Sequence, residues 1–174
     1  TKAGHKAMLD ALQNPQKSST SEQCVLGGGS GKQLSKSEAD ALYSTYIQRY
    51  IFEWQQFVKR GDVRKFNDLA DAASRLRTLS GASSPLLQFL FVASDNTNLD
   101  SKELKGAFQA VQSFVKPDSP TNYIGPANMK YMEALFRLST LVEKIRSSGL
   151  PNQNDLDEAP MAASAARDAA GLAG

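Results

Sequence analysis

The sequence predicts an all-α fold, an irregular bundle of about six helices, and three observations predict it. Apolar residues recur at the helical period on at least five segments. Ser, Asp and Pro stand where helices start, and Gly and Pro where they stop. No stretch alternates apolar and polar residues as a half-buried strand does, and no Asn-Gly or Asp-Gly turn lies between apolar runs. No internal repeat recurs at a fixed spacing.

Lys2 to Gln13 carries Ala7, Met8, Ala11 and Leu12 on one side, a short amphipathic helix stopped near Asn14-Pro15. Gln16 to Gln33 is polar, with Ser18-Ser19-Thr20-Ser21 and then Gly27-Gly28-Gly29-Ser30-Gly31, and is expected as a flexible loop anchored by Val25 and Leu26. The next element is the clearest. Leu42, Tyr43, Tyr46, Ile47, Tyr50, Ile51, Trp54, Phe57 and Val58 form one wide apolar stripe at the helical period. Ser35 with Glu38 is a capping box at its start and Gly61 its stop, giving a helix of about 23 residues, ~35 Å at 1.5 Å per residue.

A third helix is expected after Asp62, carrying Phe66, Leu69, Ala72, Ala73, Leu76 and Leu79 and ending at Ser80-Gly81. Ser84-Pro85 is an N-cap followed by Pro at the first helical position. The run Leu86 to Ala93 that follows is apolar on nearly every side and is expected in the centre of the fold. Gly81 is expected to end its helix in the left-handed conformation, so that Gly81→Val lowers thermal stability sharply. Asp95-Asn96-Thr97-Asn98 reads as a polar turn. Asp100 and Glu103 offer a capping box for a helix with Leu104, Ala107, Phe108, Val111, Phe114 and Val115, ending before Pro117. Pro117 to Pro126 reads as loop. A long helix from about Ala127 to Ser148 turns Met129, Met132, Leu135, Phe136, Leu138, Ser139, Val142 and Ile145 inward and stops at Gly149 and Pro151. Asn152 to Glu158 reads as a polar linker, and the Ala-rich segment from Ala159 as a shallowly buried helix. The chain thus divides into residues 1–34 (short helix and Gly/Ser-rich loop), a helical core domain over 35–150, and residues 151–174 (polar linker and Ala-rich C-terminal helix).

Composition narrows function by exclusion. The 174 residues carry 20 Lys and Arg against 18 Asp and Glu, a net charge of +2. So near-neutral a balance leaves no electrostatic footprint for nucleic acid or an anionic membrane. One Cys and one His are too few for an internal disulfide or a Cys/His zinc site. The most apolar stretch, Leu86 to Ala93, is about half the roughly 20 residues that span a bilayer, so no direct membrane insertion is expected. No signal-peptide pattern is present, and the start at Thr1 reads as a processed product or a piece of something longer.

Four groups of residues could carry chemistry, and each has a plainer reading. Gly28-Gly29-Ser30-Gly31-Lys32 looks like a phosphate loop, but Leu26 stands where the first Gly is required and Gln33 where Ser or Thr must follow Lys. His5 and Cys24 lack a spacing that brings them together, and read as an exposed His and an incidental thiol. Asp68 with Asp71, and Asp155 with Asp157 and Glu158, read as solvated charged faces rather than a paired-carboxylate site. The stripe Tyr43, Tyr46, Tyr50, Trp54 and Phe57 reads as core, with one or two tyrosines at its edge able to face a partner. No catalytic, cofactor-binding or metal residue is assigned, and no cofactor.

Leu42-Tyr43 through Tyr46, Tyr50, Trp54 and Phe57, then Leu76 and Leu79-Ser80-Gly81-Ala82-Ser83-Ser84-Pro85-Leu86, then Asn96-Thr97-Asn98-Leu99, resemble the TssM family, also called IcmF or VasK. These are inner-membrane components of the bacterial type VI secretion system. Thr1-Lys2-Ala3-Gly4, Val25-Leu26-Gly27 and the later helices are similar too. The resemblance implies a helical part of the periplasmic portion of a larger inner-membrane protein, a non-enzymatic scaffold acting by protein contacts. The implied partners are the outer-membrane lipoprotein TssJ, through an adjacent β-rich domain, and the inner-membrane subunit TssL, with self-association through a second copy as a further candidate. The alternative is a stand-alone cytoplasmic adaptor that grips a partner helix in a groove lined by Met129 and Met132.

Overall fold

The computed structural model describes residues 1–14, 35–117, 122–149 and 151–171, with residues 169–171 described by backbone alone. The glycine loop 27–31, Lys32 and Cys24 lie outside the described residues. The described residues form seven helices: α1 (Lys2–Gln13), α2 (Lys36–Lys59), α3 (Leu69–Ser80), α4 (Pro85–Thr97), α5 (Lys102–Phe114), α6 (Met129–Ser148) and α7 (Gln153–Gly171). The described residues contain no strand. The fold is an all-α irregular bundle, as the sequence predicts.

The helix starts follow the capping rules, with two shifts. The expected box at α2 is present: the Glu38 N–H donates to Ser35 Oγ at 3.3 Å and the Ser35 N–H to Glu38 Oε2 at 2.8 Å. The α3 cap is Asp68, not Asp62, its Oδ1 accepting from the Asp71 N–H at 2.8 Å. Residues 62–67 are irregular because Phe66 serves the connector, its ring lying 5.0 Å beneath the Arg75 guanidinium. The α5 cap is Ser101, not Asp100; its Oγ accepts from the Leu104 N–H at 3.3 Å and donates to Glu103 Oε2 at 2.7 Å.

Two expected non-helical stretches are helical. Asp95, Asn96 and Thr97 extend α4 because each side chain finds a partner. Lys2 Nζ reaches Asp95 at 2.6 Å, the Asn96 amide donates to the Val92 carbonyl at 2.9 Å, and the Thr97 hydroxyl donates to the Ala93 carbonyl at 2.8 Å. The expected linker Asn152–Glu158 is the first part of α7, with Asn152 Oδ1 capping the Asp155 N–H at 2.9 Å. Asp155, 1 % exposed, pairs with Lys144 and ties α7 to α6.

Three apolar clusters hold the helices together. Ile47 and Tyr50 of α2 meet Leu104 and Phe108 of α5. Leu87 of α4, Val115 and Met132 of α6 form the second. Leu76 of α3, Ala134 and Leu135 of α6, and Ala166 of α7 form the third. Each fully buried Leu or Phe contributes about 1.5–3 kcal/mol. Because α6 packs against both α3 and α7, its buried arc is wide and includes Ala134 and Leu141. That arc leaves out Phe136, 59 % exposed, and Met129, which were expected inward.

The corner between α3 and α4 is built differently from expectation. Gly81 is extended, with φ −78° and ψ 165°, not left-handed. A Cβ there meets only the Arg77 and Thr78 carbonyl oxygens, at 3.5 and 3.6 Å, so the glycine is not required. Buried Ser84 caps α4 and Pro85 opens it, as expected. Gly149 is the left-handed cap, with φ 72° at the end of α6.

Candidate functional site

The stripe on α2 folds into a ladder of rings. From Tyr46 the centroid separations are 5.7 Å to Tyr50, then 6.3 Å to Trp54 and 5.1 Å to Phe57. At one end His5 of α1 stacks on Tyr46 at 5.7 Å, and at the other Phe57 stacks on Phe89 of α4 at 4.7 Å. One line of rings thereby joins α1, α2 and α4. Such ring pairs add about 0.5–1.5 kcal/mol each beyond burial.

Tyr50 is the structural rung. It is buried, and its hydroxyl donates to the Asn96 carbonyl at 2.8 Å. Burial pushes the Tyr46 and Tyr50 phenols above their ordinary range, so both stay neutral. Tyr46 and Trp54 are half-buried, and Leu42 and Phe57 are exposed. Together with Thr1, Arg49 and Glu53 they line an apolar trough of about 560 Å³. A second hollow, of about 480 Å³, lies where α2 gives way to α3 and α4, floored by Val58, Leu79, Leu86, Phe89 and Leu90. Gly61 lets the chain close over it, since a Cβ there would stand 2.5 Å from Phe89.

The other residues singled out by chemistry are placed as follows. His5 is 7 % exposed, not on the surface as expected, and is ringed by Tyr43, Tyr46 and Tyr50. Its Nδ1 has no hydrogen-bond partner among the described residues, and burial, then the Thr1 ammonium, hold its pKa below the ordinary value. Asp68 caps α3 and Asp71 pairs with Arg75 at 3.2 Å. Asp155 is buried against Lys144 rather than solvated. No group of three or more His, Cys, Asp or Glu among the described residues is placed to hold a metal. No helix among them is long and apolar enough to cross a membrane. Met132 is core and Met129 is exposed, so the two do not line one groove as the alternative adaptor reading requires.

The described residues form an all-α fold whose most developed surface features are apolar hollows along one long helix. The family model described as "IcmF-related: Intracellular multiplication and human macrophage-killing" matches residues 1–98, more than half of the chain, and the chain belongs to that family. It is accordingly a component of the IcmF type of secretion machinery. The matched segment spans α1 to α4 and therefore the whole ring ladder. No curated protein matches the chain, and no solved structure does.

Proposed function

We propose that this chain is a non-enzymatic scaffold segment of the type VI secretion membrane complex, held in the periplasm and acting by protein–protein contacts. The observation that carries the reading is the family match over the segment that builds the α1–α2–α4 ladder and its two apolar hollows. Exposed apolar surface edged by charge is what contact sites require. On this reading residues 35–150 are the helical core domain, with 1–34 and 151–174 as flanking segments. TssJ, reached through an adjacent domain, and the inner-membrane TssL are the partners in the assembly.

The test uses the full-length protein in its own bacterium, with Cys24→Ser and Ser44→Cys, the latter on an exposed position of α2. A maleimide that cannot cross the inner membrane should label Cys at position 44 in cells whose inner membrane is intact. The protein should co-purify with the other membrane-complex subunits. Labelling only after the inner membrane is opened would contradict the periplasmic placement.

A further inference from the structure

His5 is the one buried side chain of α1 and the one imidazole of the chain. The function proposed above makes no use of it. Its Nδ1 is buried without a hydrogen-bond partner among the described residues. A buried polar atom left unpaired is costly, and a buried unpaired charge is costlier. The groups around the ring offer an imidazolium no free anion. From α2 come the rings of Tyr43, Tyr46 and Tyr50, with centroids 6.2, 5.7 and 6.1 Å from its own. From α1 itself comes the Thr1 ammonium, a charge of the same sign. From α4 comes Asp95, which Lys2 Nζ already holds at 2.6 Å. From α5 come Leu104 and Phe108, apolar side chains in the cluster around Tyr50. Ring faces attract a cation, but withdrawal from water is the larger effect on His5 and favours its neutral form.

The helix that carries His5 is lightly held. α1 has 12 residues, a length at which an isolated helix is marginal in water. Besides His5 its inner face carries Met8, Leu9, Ala11 and Leu12, all half-buried. Lys2 supplies polar links to α4. Its N–H donates to Asn96 Oδ1 at 3.0 Å, and its ammonium pairs with Asp95, the two side chains 42 % and 33 % exposed. An ion pair so open to water adds little. The three apolar clusters that hold the other helices are built without α1. The cost of charging His5 therefore falls on the contact between α1 and α2.

We propose that α1 is an acid-released strap: protonation of His5 frees it from α2 and uncovers the face that carries Tyr43, Tyr46 and Tyr50. The trough, which Thr1 helps to line, then lengthens along that face. At about pH 5.5, one unit below the ordinary imidazole value of 6.5, a freed His5 is protonated about ten to one, while the docked one resists the proton. The freed population rises accordingly, by up to about tenfold over its level at neutral pH. The device belongs to this chain alone and stands whether or not the scaffold reading holds.

Hydrogen exchange of the 174-residue chain at about pH 7.5 and about pH 5.5, corrected for the intrinsic pH dependence of exchange, tests this. Protection in α1 should be lower by a factor approaching ten at the acid pH, while α2 and α5 keep theirs. His5→Phe keeps a ring in place without the proton and should hold α1 protection level between the two conditions. Asp95→Asn should leave the fall in place. The His5 C–H resonances of the wild type, free of overlap with any other imidazole, should titrate with a midpoint below 6.5. Equal α1 protection in both conditions, a fall shared by α2 and α5, a fall that persists in His5→Phe, or a midpoint at or above 6.5 overturns the proposal. A fall abolished by Asp95→Asn overturns it as well, since the Lys2–Asp95 pair would then be the switch.

Discussion

His5 is the one imidazole of the chain, and α1 leans on it. Its burial among three tyrosines lowers its folded pKa below 6.5, so the unfolded chain binds the proton more readily. The stabilisation is fully present above 6.5 and is lost as pH falls through the depressed folded value. His5→Phe should remove that part of the pH dependence, read as urea midpoints at about pH 7.5 and about pH 5.5. The carboxylates of Asp71, Glu103 and Glu143, held below their ordinary values by hydrogen bonds, lose their stabilisation only in a lower window. Asn128 is the second residue on which much rests. It is 1 % exposed; its amide donates to the Phe114 and Tyr123 carbonyls at 2.7 and 2.8 Å, and its Oδ1 accepts from the Gly125 N–H at 3.0 Å. Asn128→Ala strands these groups and should cost about 2–4 kcal/mol in chemical denaturation. Nothing in the sequence marks this Asn, because its partners come from the last residue of α5 and from the connection that follows it.

At the scale of elements, periodicity made α2 legible, since its stripe is apolar along its whole length. It failed where polar side chains are satisfied by tertiary partners. The end of α4 reads as a turn until Lys2, Val92 and Ala93 supply partners, and the start of α7 reads as a linker until Lys144 meets Asp155. The rings of the site were legible, but their exposure was not, because α1 and α5 decide it. The groove between α2, α3 and α4 was not legible either, since it depends on Arg75 folding the connector back. Three outcomes follow. Asp155→Ala should release α7, seen as hydrogen-exchange protection lost in α7 while α2 and α5 keep theirs. Gly81→Val should leave the melting temperature nearly unchanged, reversing the sequence-based expectation. Gly61→Ala should cost about 1–3 kcal/mol because Phe89 must leave its stack on Phe57.

Across the whole molecule, three small clusters share the burial, and the ring ladder runs over them from α1 to α4. The trough runs along α2 from Leu42 to Phe57, and the groove begins beside its C-terminal end at Val58 and Gly61. On the function proposed above, these surfaces do this segment's work in an IcmF-type machine. The most direct test is quantitative co-purification of the membrane-complex subunits with full-length protein carrying Leu42→Glu and Val63→Glu. Both residues are exposed, at 45 % and 43 %, and line the trough and the groove. The account predicts unchanged protein level and melting temperature, with subunit recovery down about tenfold, as loss of interface anchors gives. Full recovery of every subunit, with secretion undiminished, would contradict it.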